Sequence, residues 1–162
     1  MNARSLSIAL IVLPLTFAFA TFNYDYGPDE YVTVSKGISP DGKYAIAAHG
    51  EDDLGYTNFH VYLFDAISGK KIGPLEEIVD TLDTGAGAFG AIWSQDSTKV
   101  IIVYRVDRHA PLKSMTYLIS NRRAKPLSKK PVNVPEDSPT SGFWQKYCSA
   151  PKPPSRIFST SK

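Results

Sequence analysis

Cysteine is nearly missing from this chain: Cys148 is the single one among 162 residues. One thiol cannot close an internal disulfide, so the core must hold the fold, and the thiol is either buried or free or joins two chains. The patterns that announce common chemistries are missing too. There is no Gly-x-Ser-x-Gly elbow, no metal-binding pair of histidines and no phosphate-cradling glycine loop. Helix formers are modest while aromatic residues reach 12%, a balance that leans towards β structure. The apolar run at 6–17 is short and interrupted by Pro14, which excludes a good membrane-spanning helix.

What is present begins with an address. Residues 1–20 read as a secretory signal: Arg4 gives the positive start, 6–17 the apolar core, and Ala18-Phe19-Ala20 a small-x-small cleavage site. No cysteine follows that site, which argues against a lipoprotein anchor. The expected mature chain is 21–162, placed in the periplasm or outside the cell, with no stable membrane span once the signal is removed. Its charge is divided. Residues 21–110 hold 7 Lys/Arg against 14 Asp/Glu, and 111–162 hold 10 against 2, so a net charge of +2 conceals about −7 followed by +8. A basic segment of this kind lies across an acidic face of its own domain, is solvated, or meets an anionic partner such as lipid head groups or polysaccharide. Nucleic acid is disfavoured, because few aromatics interleave with the cations.

The stretch Ile38-Ser39-Pro40-Asp41-Gly42-Lys43 has the chemistry of a tight turn. Pro40 presets φ, Asp41 can bond its own backbone, and Gly42 tolerates a left-handed corner; a strand over 44–48 follows. Fifty-five positions on, about one repeat length by the usual periods, Ser94 answers Ser39 and Asp96 answers Asp41 ahead of the apolar run 99–106. The same offset aligns Tyr62-Leu63-Phe64 with Tyr117-Leu118-Ile119. A shared offset at two places argues for a duplicated unit. Residues 31–34, 59–64, 71–72 and 114–120 also read as strands. Leu75, Ile78, Val79 and Leu82 fit a short helix face, though 77–81 equally fits an outer strand. Residues 131–162 hold six prolines and read as an extended tail, with one helical turn over 142–147 able to dock aromatics.

The turn Ser39-Pro40-Asp41-Gly42-Lys43, with Asp65-Ala66-Ile67-Ser68-Gly69-Lys70 after the next strand, resembles the blade repeats of β-propellers of the TolB-type and WD40-like kind. The likeness spans about residues 31–127 and is weaker in the second unit, where Gln95 and Ser97 replace the proline and glycine. It implies four-stranded antiparallel sheets, and a binding or scaffolding role with no catalytic residues to transfer. The expected fold is therefore all-β: two antiparallel blade-like sheets packed together, with at most one short helix and an extended C-terminal tail. The domains expected are the signal at 1–20, a two-unit β domain at 21–130 (units 31–75 and 88–127), and a Pro-rich basic tail at 131–162. Two sheets fall short of the four to eight of a closed propeller. They pack face to face, or two chains associate as a homodimer with a four-sheet ring.

Candidate chemistry is thin. Glu51, Asp52 and Asp53, near His49, could supply oxygen ligands for Ca²⁺, but the spacing matches no EF-hand and adjacent acids diverge, so no metal or other cofactor is expected. Asp107 and His109 could act as base and acid, but loop-shaping by local pairing is the better account. The expected function is a non-enzymatic binding or structural module for a protein or polymer. Its speculative binding residues are His49, Glu51 and Asp53 in one loop and Asp107, Arg108 and His109 in another, the two loops falling at the same end of their sheets. The alternative is a hydrolase of envelope or extracellular polymers.

Overall fold

Two turns, at 39–43 and 94–98, head two hairpins, and their hydrogen bonds coincide. Ser39 Oγ donates to Asp41 Oδ1 at 2.7 Å and accepts from the Tyr44 amide at 2.9 Å, while the Lys43 amide donates to Asp41 Oδ1 at 3.1 Å. In the second turn Ser94 Oγ donates to Asp96 Oδ1 at 2.6 Å and accepts from the Lys99 amide at 2.9 Å, while the Thr98 amide donates to Asp96 Oδ1 at 3.2 Å. Gly42 sits at φ +70°, and Ser97 occupies the matching left-handed corner at φ +59°. A side chain with a Cβ tolerates that corner only when its surroundings hold it there. Ser97 is held: it is buried, and its Oγ accepts from the Asp41 amide at 3.1 Å, tying the two turns together.

The carboxylates in these turns titrate low. The hydroxyls of Ser39 and Ser94 hold Asp41 and Asp96 below the ordinary 3.8, and the Ser68 amide does the same for Asp65. A folded-state pKa depressed in this way contributes stability above the ordinary carboxylate value, and that stability is lost as pH falls through the folded value. Thermal scans should therefore show a midpoint that is flat near neutrality and falls below about pH 4. Asp41→Asn with Asp96→Asn, which keeps the Oδ1 acceptors but cannot titrate, should flatten that acid limb.

The computed structural model describes residues 27, 29–51, 58–78, 85–107, 109–149 and 154–160. The signal at 1–20 lies outside them. The first meander comprises β1 (Glu30–Ile38), β2 (Tyr44–Gly50), β3 (Phe59–Asp65) and β4 (Lys71–Pro74); the second comprises β5 (Phe89–Trp93), β6 (Lys99–Tyr104), β7 (Lys113–Ser120) and β8 (Arg123–Pro126). Each is antiparallel throughout. The expected all-β fold with one short helix is observed, and the two sheets do share a core. They also join at their first strands: β1 pairs β5 in parallel at Ser35 and Gly90, giving the order β4-β3-β2-β1-β5-β6-β7-β8. The resulting sheet is barrel-shaped and nearly closed. Across the remaining gap Arg122 Nη2 meets Asp65 Oδ2 at 3.0 Å, and Tyr117 OH donates to Glu77 Oε2 at 3.0 Å.

The parallel seam has a geometric consequence. Two like meanders whose first strands pair in parallel are related by a half-turn about an axis along the strands, and that rotation exchanges the two faces of the sheet. Side chains alternate faces along a strand, so positions 55 apart on β2 and β6 should point to opposite sides, and they do, whereas at the seam Val34 and Phe89 both face the shared core. Ile46 and Ala48 belong to the shared core, whereas Val103, the position matching Ala48, lies outside it; Val100 and Ile102 belong to the shared core, whereas Ala45 and Ala47 lie outside it. The third strand is also displaced. His49 pairs with His60, eleven positions on, but the matching Tyr104 pairs with Lys113, nine on. The second hairpin connection is thus two residues shorter, and Tyr117 stands opposite Val100 as Phe64 does opposite Ala45, not as Tyr62 does.

Each outer face therefore carries an apolar patch, and the segment after residue 130 covers both. Instead of an extended tail throughout, it supplies β9 (Val132–Asn133) beside β7, the helix α1 (Pro139–Tyr147), and β10 (Ile157–Ser159) beside β1. Ser138 caps α1, its Oγ accepting from the Ser141 amide at 3.2 Å, and Pro139 suits the first turn. Trp144 and Cys148 of that segment pack on Val103 and Leu112. Phe158 of β10 stacks on Phe64 with centroids 4.6 Å apart. The described part of the ambiguous stretch, 75–78, is a turn: the Ile78 amide donates to Leu75 O at 3.1 Å, and both side chains plug the core from one bend. Residues 79–82 lie outside the described residues.

Candidate functional site

The richest polar constellation lies on the outer face of the first meander, and two alanines make room for it. Ala45 and Ala47 leave the surface of β2 low, so rings from neighbouring strands lie across it. Tyr31 on β1 stacks on His49 with centroids 4.2 Å apart and meets Tyr62 edge-on at 5.2 Å. Lys71, at the start of β4, donates from Nζ to Tyr31 OH at 2.9 Å and stands 4.8 and 4.9 Å from the Tyr31 and Tyr62 centroids. Both contacts suit a cation over the electron-rich ring face.

Protonation states follow from the partners. His49 Nδ1 lies 2.8 Å from the Glu30 carbonyl oxygen. A carbonyl only accepts, so Nδ1 carries a proton and donates to it. Tyr62 OH donates to Glu51 Oε1. Burial, reinforced by that carboxylate, pushes the Tyr62 phenol well above its ordinary value, so it remains a donor at any physiological pH. The site thus brings one cation, one carboxylate, one imidazole and two phenols to the exit of β2. Glu51 is exposed, so Tyr62→Phe leaves its carboxylate to water, and denaturant titration should show a loss of about 0.5–1.5 kcal/mol.

His49 and Glu51 both fall at the exit of β2, but His49 is a buried strand residue paired with His60 and not part of the loop that the sequence suggests. Asp53 lies outside the described residues, as does Arg108. Asp107 and His109 do not form an acid–base pair through the imidazole. Asp107 Oδ1 accepts from the backbone amides of His109 and Ala110 at 2.6 and 2.8 Å, which shapes the loop as a local turn. The strand ends from which the two loops leave, Gly50 and Tyr104, point the same way, because β1 and β5 run in parallel and so β2 and β6 do too. Three inter-strand steps, about 14 Å, separate β2 from β6. Among the described residues no three of His, Cys, Asp and Glu are grouped to hold a metal.

Tyr31, Tyr62 and Lys71 are the site residues that sequence reading passes over. Each comes from a different strand, and their one trace in the sequence is the small Ala45/Ala47 alternation, which asks for large partners. Cys148 is buried, its Sγ against Gly90 of β5. No helix among the described residues is long and apolar enough to cross a membrane. No protein-family model matches the chain, no curated protein matches it, and no solved structure matches it.

Proposed function

We propose that this chain is an exported, non-enzymatic binding module made of two propeller-like units, working in the periplasm or outside the cell. Its contact surface is the rim formed by the β2–β3 and β6–β7 connections. The observation that carries the reading is the parallel β1–β5 seam, which makes β2 and β6 run the same way, so that both connections leave one end of a nearly closed support. Binding residues are commonly carried on loops held by such a scaffold. The matching hydrogen bonds of the two Ser-x-Asp turns support descent of both units from one blade-like meander. Arg4, the apolar 6–17 and the Ala-Phe-Ala site support export.

The test uses the chain 21–162, immobilised and exposed to envelope and medium fractions of its own source. The variant Asp53→Ala, Arg108→Ala, His109→Ala should lose a ligand that the parent retains, with an unchanged unfolding midpoint. Retention of the same material by both proteins would overturn the rim assignment. Hydrolysis of an envelope polymer by the parent, abolished in His109→Ala, would replace binding with catalysis.

A further inference from the structure

The face reversal leaves an outer surface on the second meander that the helix only partly covers. Toward the rim, α1 lies over Val103 and Leu112. Beyond it the cross-strand register sets Lys99, Leu118 and Lys125 in one row, and Ser120 with Arg123 in the next. Leu127 extends the face, its amide donating to Thr116 O at 2.9 Å, and exposed Lys129, Lys130 and Val132 follow along the edge of β7.

Two properties of this face stand out against the rest of the surface. The first is its sign. Residues 111–133 contain six Lys/Arg and no Asp/Glu. Of the carboxylates nearby, Asp65 is paired with Arg122, and Asp96, held by the neutral Ser94 and Thr98 hydroxyls, stays a single anion against these cations. The second is exposed aliphatic surface among the cations. Leu118, Leu127 and Val132 are 38%, 55% and 58% exposed, and they are three of the six large apolar side chains exposed among the described residues. Lysines on sheet edges can serve to block strand pairing. That role does not explain Lys99 on β6 or Leu118 on β7, since both strands are paired on either side.

We infer that this face docks on an anionic phospholipid surface. Cations draw the sheet to the charged leaflet, and Leu118, Leu127 and Val132 enter the headgroup zone. An anionic polymer would answer the charge alone. Nucleobases add stacking on aromatic rings, and none of the six exposed large apolar residues is aromatic. The surface is separate from the rim, so this inference and the binding reading above stand or fall independently.

The experiment is co-sedimentation of the chain with phosphatidylcholine vesicles, with and without phosphatidylglycerol. Binding is expected to the anionic vesicles only and to weaken as salt is raised. Lys99→Gln, Arg123→Gln and Lys125→Gln together should lower partitioning by roughly a hundredfold, at roughly fivefold per cation removed. Leu118→Ser with Leu127→Ser should lower it several-fold at unchanged charge, whereas Asp53→Ala with His109→Ala should leave it unchanged. Equal binding to neutral vesicles, no binding at all, or indifference to the three Gln substitutions would overturn the proposal. So would tight binding of soluble dextran sulfate together with no effect of the Ser substitutions, which would mark a polymer site. The salt titration reads the parent protein alone, so the proposal stays open to refutation even if a variant misfolds.

Discussion

Ile46→Ala should destabilise the protein by about 2–5 kcal/mol, the cost of emptying a buried Ile site. Ile101→Ala, at the matching position 55 residues on, should cost less, about 1–2 kcal/mol, because a partly exposed side chain loses only part of a transfer term and leaves no sealed cavity. Ile46 is fully buried in the shared core, while Ile101 is only partly buried on the opposite face. The contrast should invert one position along. Ile102→Ala should cost about 2–5 kcal/mol, since Ile102 is fully buried in that core. Its match Ala47 lies outside, among Tyr31, Tyr62 and Phe158. Equilibrium denaturation of the three variants checks the pattern. Equal losses at Ile46 and Ile101 would mean that both meanders turn the same face inward.

Gly37→Ala should be the most damaging single methyl in the chain, at about 3 kcal/mol or more, towards the upper end of overpacking costs. A Cβ there would lie 2.5 Å from Ile46 O and 2.9 Å from Val34 O. Both obstacles are backbone, so neither can rotate away. The position matters because β1 serves three neighbours, pairing β10 at its start, β2 along its length and β5 at Ser35. The pairing with β2 shifts register between Thr33 and Ile38, and Lys36 sits at φ +57° in that irregular stretch. A bulge of this kind bends a strand and increases its twist, which lets one strand meet both sheets. Gly90→Ala provides the comparison. Its Cβ would meet Cys148 Sγ at 2.5 Å and Phe143 Cε1 at 2.9 Å, both on the α1 segment, which can withdraw. The expected loss is about 1–3 kcal/mol, partly relieved by adding Cys148→Ala. A Gly37→Ala loss smaller than that of Gly90→Ala would contradict the tight crossing of β1 and β2.

Sequence reading succeeds here where the determinants are local. Ser39 and Asp41 announce their turn because their side chains bond each other and the Lys43 and Tyr44 amides, all within five residues, and Ser94 with Asp96 announce theirs for the same reason. Strand positions are legible from the apolar runs. Side-chain direction is not. Residues 44–48 and 100–104 are apolar on both sides, so alternation, which normally tells core from solvent, carries no information there. The displaced pairing of β7 is hidden as well, because a loop shorter by two residues keeps every side chain on its own face while shifting its partners. Tyr62 and Tyr117 align by offset and yet sit on opposite sides of the sheet. The helix was signalled by Ser138-Pro139, a cap and a first-turn proline, inside a segment whose six prolines suggest an extended chain.

The candidate site divides in the same way. His49 and Glu51 are neighbours in the chain and are readable as a polar pair. Lys71 and Tyr31 reach them only through strand order, β4 and β1 lying either side of the β2–β3 hairpin. Asp107 and His109 look like an acid–base pair by type and spacing, but the carboxylate bonds the loop amides, which residue identities alone do not reveal.

Everything in the architecture depends on the seam between β1 and β5, and it can be observed directly in solution. Backbone NOEs between Ser35 and Gly90, with a contact between the Asp41 amide and the Ser97 side chain, are what the seam predicts. A spectrum in which β5 shows contacts to β6 alone, and in which Ser35 has no partner in the second meander, would contradict it.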